Sequence, residues 1–364
     1  MNERAVGVPM KPETSANKEV GLFAERMTIY SCIVLVAAVA SYAFWMHRYS
    51  IFACQADGYS ADRYVAYCNA TGYGDYEHGA FWFGLEPSAQ RYAKDADVLF
   101  LGNSHAQYGF STKATADWFS AASIPYYQLG FIYYEGVSFA EALMRRIQPK
   151  AKVYVINLDD FFTQWESPSA MEVTNDPGAP SHYEAKRLWQ RAHERICEIA
   201  SFFCGRNYAI FRSRQTGAYS MSRGNVLFEA KPVSYDQTTT EDVVKTNTAA
   251  ARKFLSDLPV QEECVILTIV PTVETKTGNA NAIAAALHKD LVTPEVHGLQ
   301  TFDGSHLDPP SAERWSEAFF KRRAPRFVPA SGNRAPRTPE VQPFTAQPIE
   351  SLSCPKARPL EVPL

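Results

Sequence analysis

An α/β fold, a parallel sheet flanked by helices with one transmembrane helix ahead of it, is predicted from three features of the chain. From Asp95 onward, short apolar runs alternate with helix-length stretches, the pattern of a parallel sheet whose crossovers are helices. The first of these runs, Val98-Leu-Phe-Leu101, is opened by Asp97 and closed by Gly102 with no polar residue inside it. A continuous run of that kind reads as a strand buried on both faces. Upstream, Met27 to Met46 carries no charge at all. A helix of about twenty residues spans about 30 Å, the thickness of a bilayer's hydrocarbon core.

Taken in order, residues 1–26 are polar and read as a cytoplasmic tail, and 27–46 as the transmembrane helix. Tyr30 near one end, and Tyr42 and Trp45 near the other, suit the two interfaces. Arg4, Lys11, Lys18 and Arg26 precede the segment, whereas Arg48 and Arg63 are the only nearby Lys or Arg residues after it. By the positive-inside rule the amino end stays in the cytoplasm and the remainder is exported, periplasmic or extracellular. A buried core helix and a cleaved signal peptide compete with this reading. The stretch is long for a signal core, and no small-x-small site closes it. A net charge of −3 gives no reason to expect nucleic acid as a partner.

Cys32 falls inside the apolar segment, leaving Cys54, Cys68, Cys197, Cys204, Cys264 and Cys354. In an oxidising compartment the local pairs Cys54–Cys68 and Cys197–Cys204 are the economical choice. Zinc competes as a reading, but no C-x-x-C spacing supports it, and no metal is expected. Cys264 opens an expected strand and reads as buried. Residues 47–91, rich in Tyr, Gly and Asp, show no sustained period and read as a membrane-proximal connector.

The domain expected over 92–326 then alternates strand and helix. Strands are expected at Val98–Leu101, Tyr126–Leu129, Val153–Leu158, Cys264–Val270 and Val296–Thr301. Helices are expected near 112–122, 138–147, 240–258 and 280–291, with a last one from about Pro309. The insertion 163–237 is too long to lack structure of its own. Within it His182 to Phe203 reads as a helix with Leu188, Ala192, Ile196 and Ile199 on one apolar face. Its remainder, through Tyr208, Tyr219 and Phe228, reads as a lid or rim. Tyr126, Tyr127, Phe131, Tyr133, Tyr134, Phe161, Phe162 and Trp165 gather after strands two and three and read as core more than as sugar-stacking platforms. The Pro-rich stretch 327–364 reads as disordered or extended.

Asn103 and Ser104 emerge at the carboxyl end of the first strand, where ligands and catalytic groups collect in open α/β sheets. Ser104 either carries chemistry or caps the helix that follows, since Ser is a favoured cap. The far end of the chain supplies Asp303-Gly-Ser-His306, just ahead of the last helix. A carboxylate and an imidazole on one turn can face the same way, the carboxylate orienting the ring for general-base work on a serine. His105 leaves the turn in a different direction from Ser104 and reads as a supporting or surface residue.

A Ser after the first core strand and D-x-x-H before the last helix resembles the SGNH (GDSL-type) esterase and acyltransferase superfamily, over roughly residues 95–323. Gly102-Asn103-Ser104 stands where that family has Gly-Asp-Ser, and Asp303-Gly-Ser-His306 matches its last block. The resemblance implies a flavodoxin-like sheet, Ser104 as nucleophile, His306 as base, Asp303 orienting it, and no cofactor. It also implies an oxyanion hole from the N–H groups of Ser104 and Gly130 and an Asn side chain after strand three. Gly130 reads equally well as a turn glycine. Where the family has Gly-x-Asn-Asp, this chain has Asn157-Leu-Asp159-Asp160, so Asp159 holds the Asn position. An ionised carboxylate cannot donate a hydrogen bond, which leaves Asn157 as the substitute and Asp159 and Asp160 as substrate-binding residues.

Membrane-anchored relatives of this kind modify cell-envelope polymers. The expectation is therefore a serine O-acyltransferase that acetylates an exported polysaccharide through an acyl-serine, with a membrane-embedded acyl donor as partner. An esterase acting on such a polymer or on a small ester is the second reading. A non-catalytic envelope protein that kept the fold is the third.

Overall fold

The structure, a computed structural model, describes residues 15–223, 227 and 229–323. Phe228, Cys354 and the Pro-rich stretch 327–364 lie outside the described residues. A long helix α1 (Ser15–Tyr49) is followed by strands β1 (Arg63–Cys68) and β2 (Gly74–Asp75) and helices α2 (Glu77–Trp82) and α3 (Pro87–Asp95). The chain continues through β3 (Val98–Asn103), α4 (Ser104–Phe110), α5 (Lys113–Ala122), β4 (Tyr126–Phe131), α6 (Val137–Ile147) and β5 (Val153–Asn157). The insertion holds α7 (Pro168–Asn175), α8 (Ala179–Ile199), β6 (Ala209–Ser213), β7 (Tyr219–Ser222) and β8 (Lys231–Pro232). Next come α9 (Glu241–Asp257), β9 (Val265–Thr268), α10 (Thr277–Ala286), β10 (Leu291–Val292), β11 (Gln300–Thr301) and α11 (Pro309–Arg323).

The central sheet has five parallel strands in the order β10-β9-β5-β3-β4. Successive strand residues face opposite sides, and β3 shows why its run had to be wholly apolar. Leu99 and Leu101 enter the core shared with α6 and α10, while Val98 and Phe100 pack with Phe110, Phe119, Trp315 and Phe319 on the other face. Counted along the chain, the parallel strands run 2-1-3-4-5 across the sheet. The crevice at the carboxyl ends of β3 and β5, where that order reverses, is the expected ligand position.

Two sequence expectations about strands need correction. The fifth strand is Leu291–Val292, not Val296–Thr301. Gly298 at φ +69° breaks the later segment, and its end, β11, pairs antiparallel with β8 in a separate two-stranded sheet. The connector also carries regular structure. β1 pairs antiparallel with both β2 and β6 in a sheet of order β2-β1-β6-β7. Tyr64, Val65 and Ala66 are all fully buried, so β1 shows no polar–apolar alternation that could have announced it.

The apolar face expected on α8 is inverted. Leu188 and Ile199 are exposed, while Tyr183, Lys186, Gln190 and His193 are buried. Tyr183 donates to the Asp75 carboxylate, and the other three serve backbone carbonyls of the neighbouring strands and loops. Lys186 Nζ donates to Asp75 O at 2.6 Å and Gln190 Nε2 to Val65 O at 2.8 Å, and His193 Nε2 meets Cys54 O at 3.2 Å. Buried carbonyls need such partners. The Cys54–Cys68 and Cys197–Cys204 disulfides are both present, and Cys264 is buried.

Among the described residues, one helical span, Glu25–Tyr49, is long and apolar enough to cross a membrane, and none of its most apolar window is buried. Near its end, His47 Nδ1 meets Phe203 O at 3.4 Å, beside the exposed Phe202 and Phe203 of the Cys197–Cys204 loop.

The two larger sheets are joined by a fully buried ion pair, Arg212 on β6 with Glu77 on α2, at 2.8 Å. Arg212 Nη2 also donates to Gln128 O at 2.6 Å, and Glu77 accepts from Tyr219 Oη at 2.6 Å and from the N–H of Ile132 at 2.9 Å. Removing one partner of such a pair strands a buried charge and costs about 3–5 kcal/mol. Arg212→Met is accordingly expected to lower the unfolding free energy by about that amount, read by denaturant titration. A loss below about 1 kcal/mol would show that Glu77 finds other compensation.

Candidate active site

β3 runs without a linker into α4, so Ser104 is the first helical residue. The cap is Asn103: its Oδ1 accepts the N–H of His105 at 2.9 Å and its Nδ2 donates to the Asp159 carbonyl at 3.1 Å. The hydroxyl of Ser104 is therefore not spent on capping and lies 2.9 Å from His306 Nε2. His306 Nδ1 donates to Asp303 Oδ2 at 2.8 Å. Asp303 Oδ1 accepts the N–H groups of Ser305 and His306 at 2.9 and 2.8 Å, an Asx-type turn that D-x-x-H spacing builds locally. Ser104, Asp303 and His306, drawn from opposite ends of the domain, thus form one hydrogen-bonded chain.

The His306 ring packs against two aromatic rings that also touch each other, stacked on Phe302 at 5.6 Å and tilted against Tyr108 at 4.6 Å, with Phe302 and Tyr108 5.4 Å apart. Burial is the first reason that its pKa falls below the ordinary histidine value, and the neighbouring His105 adds to it while the Asp303 hydrogen bond opposes it. A ring kept neutral at neutral pH can accept a proton. Burial alone would raise Asp303, but the bonds from His306 and the two N–H groups outweigh it and hold its carboxyl low.

A cavity of about 200 Å³ opens beside Ser104 and His306, lined mainly by Tyr67, Tyr108, Tyr133, Tyr134, Tyr208 and Phe302. Tyr133 and Tyr134 adopt φ of +65° and +55°. For bulky residues each such conformation costs about 1–3 kcal/mol, and strain of this kind gathers at functional sites. Of the aromatics after strands two and three, Tyr127, Phe131, Phe161 and Phe162 are core, whereas Tyr133, Tyr134 and Trp165 are exposed.

The expected oxyanion donors are not all brought to this cavity. Ser104 opens α4, where first-turn N–H groups lack intrahelical acceptors. Gly130 does not line the cavity and is not in a turn. It lies within β4 opposite Gly102, and a Cβ there would come within 2.8 Å of Asn103 O and 2.9 Å of Gln107 Cγ. Asn157 is buried in the same layer, its Oδ1 accepting the N–H of Val270 at 2.9 Å while its Nδ2 has no hydrogen-bond partner.

Of the two readings of His105, supporting or surface, the surface one is excluded. The residue is buried, its Nδ1 pairs with Asp159 Oδ2, and its Nε2 meets Ser305 Oγ at 2.6 Å. Asp159, read as substrate-binding, is thereby committed to His105. Asp160 stays free of that pair and faces a second, polar cavity that Asp159 also lines. Burial, followed by the charge of Asp159, raises the Asp160 carboxyl. The dipeptide Ser-His occurs at 104–105, 181–182 and 305–306, and the serines of the first and the last bond each other's histidine.

Among the described residues, two groups bring possible metal ligands together. Cys197 and Cys204 are tied in a disulfide, and Asp75, Glu77 and His78 are engaged with Tyr183, Arg212 and Glu135. Neither group leaves a ligand set free.

The packing at Gly130 makes a prediction. Gly130→Ala is expected to lower stability by about 1–3 kcal/mol, the usual cost of overpacking, measured by denaturant melts. Unchanged stability with lost activity would instead favour a role for its backbone toward substrate.

No family model, no curated protein and no solved structure matches this chain.

Proposed function

We propose that this protein is a membrane-anchored serine acyltransferase of SGNH type that O-acetylates an exported polysaccharide. The observation that carries the reading is the chain Ser104 Oγ–His306 Nε2 at 2.9 Å and His306 Nδ1–Asp303 Oδ2 at 2.8 Å. In this reading Ser104 Oγ attacks the carbonyl carbon of the donor ester while His306 Nε2 takes its proton. Asp303 keeps the ring in the tautomer that accepts at Nε2. The proton passes to the leaving alkoxide and an acyl-serine remains. An acceptor hydroxyl then loses its proton to His306 and attacks the acyl carbon, and as the acyl–Oγ bond breaks His306 returns that proton to Ser104 Oγ. The first-turn N–H of Ser104 stabilises the oxyanion, with Asn157 Nδ2 as the unpaired donor one strand away.

The aromatic cavity of about 200 Å³ is small, which favours an acetyl or similarly short acyl group. Its tyrosines offer ring faces and hydroxyls, suited to a sugar. The anchor is α1, with the amino end cytoplasmic by the positive-inside rule. The disulfides fit an exported domain. Exposed Ile199, Phe202 and Phe203 near the end of α1 suit a surface lying on the bilayer. Tethering raises the effective concentration of a membrane-embedded acyl donor, a gain that hydrolysis by water would not need.

Ser104→Ala and His306→Ala are each expected to remove nearly all activity, and the double variant to lose no more than either, because the two act as a unit. Activity against pH should fall with a midpoint below the ordinary histidine value of about 6.5, since the His306 base is lost only when it protonates. With a generic acetyl ester, added oligosaccharide should divert the acetyl group from water to sugar, read as acetylated glycan by mass spectrometry. Rapid hydrolysis without glycan product across several envelope polymers would favour the esterase, and full activity in Ser104→Ala would remove the assignment.

A further inference from the structure

The cross-pairing of the Ser-His dipeptides at 104–105 and 305–306 leaves a second Ser–His–Asp chain that the function above does not use. His105 Nε2 lies 2.6 Å from Ser305 Oγ, and His105 Nδ1 is paired with Asp159 Oδ2. Tyr134 Oη also reaches Ser305 Oγ, at 3.0 Å. His105 is buried, Ser305 half-buried. Ser305, His105 and Asp159 all line a cavity of about 510 Å³ that adjoins the aromatic one beside Ser104, sharing Tyr134 and Asp303 with it. Its other walls include Lys231, Lys276, Asn247, Asn279, Thr240 and Glu274, a mixture of donors and acceptors suited to a hydroxyl-rich ligand.

We propose that Ser305 is a second activated serine, which takes an acyl group from a polar, hydroxyl-rich ester seated in this cavity. Ser305 Oγ forms the new bond to the acyl carbon, its proton passes to His105 Nε2, and the ester's C–O bond breaks. The leaving alkoxide collects that proton and departs as an alcohol, and no other reactant is required. Asp159 holds the His105 ring as Asp303 holds that of His306. A contact that only fastened the 303–306 turn would need any donor to Ser305. Here the contact is an imidazole oriented from behind by a carboxylate, and the serine faces an open cavity large enough for a sugar ester.

The two histidines stand in opposite fields. Facing His105 are Asp159 and Asp160 from the end of β5, Asp303, Ser305 and His306 from the 303–306 turn, and Tyr134 from beyond β4. Burial alone would lower the His105 pKa, but Asp159, Asp160 and Asp303 outweigh it and raise it, whereas His306 is lowered. A base works only when unprotonated, so Ser305 should become reactive at higher pH than Ser104.

The test is covalent labelling of the full chain in detergent micelles by a fluorophosphonate, in which the serine oxygen bonds phosphorus and fluoride leaves, followed by peptide mapping. Wild type should yield separate adducts on Ser104 and Ser305, with the Ser305 adduct rising at the higher pH. Ser104→Ala should keep the Ser305 adduct, and adding His105→Gln should reduce it by at least about a hundredfold, the lower range for a lost general base. Absence of a Ser305 adduct in wild type across the pH range would overturn the proposal, as would an adduct indifferent to His105→Gln. Labelling of Ser104 alone refutes this inference and spares the first triad, and labelling of Ser305 alone does the reverse.

Discussion

The amide of Asn103 ties together everything that meets at the top of the sheet. β3 and β5 are neighbours at the point where strand order reverses, and a crevice opens there. Asn103 closes the floor of that crevice by accepting from the first turn of α4 and donating to the carbonyl of Asp159. It is fully buried, and leaving either group unpaired in such a place costs about 1–3 kcal/mol. With the cap supplied by Asn103, the next residue has no structural duty for its hydroxyl. Ser104 can meet His306, and His105, one residue further round the helix, turns toward Asp159 instead.

Around that floor the molecule holds two imidazoles 5.2 Å apart in contrasting settings. His306 packs against Phe302 and Tyr108 with one carboxylate behind it, and its pKa is lowered. His105 is ringed by acidic groups and is biased toward the charged form. Each influences the other, since a charged His105 makes protonation of His306 harder. Such pairs, whose surroundings drive their pKa values apart, mark acid–base sites. The strained Tyr133–Tyr134 pair is held over the same crevice, and Glu77, fixed by the buried Arg212, holds the N–H of Ile132 just before it.

What could be read from the chain was local or uniformly buried. β3 was legible because both of its faces are core, and the Asp303–His306 turn because its bonds span three residues. The antiparallel sheet was hidden, since its strands β1 and β6 pair across positions far apart in the chain. α8 misled for a different reason: it buries its polar side chains to satisfy backbone carbonyls and leaves leucine and isoleucine outside. β10, two residues long, is too short to show any pattern. The Ser305–His105 contact joins positions 200 residues apart, and nothing in local spacing announces it.

The central claim is that Ser104 becomes acylated during turnover. Incubating the full chain with a generic acetyl ester, quenching in acid and mapping the peptides reads that directly. An acetyl group on Ser104 that appears within the first turnover, and disappears when an acceptor is added, is the predicted result. Steady turnover of the ester with Ser104 never acetylated at any quench time would contradict it.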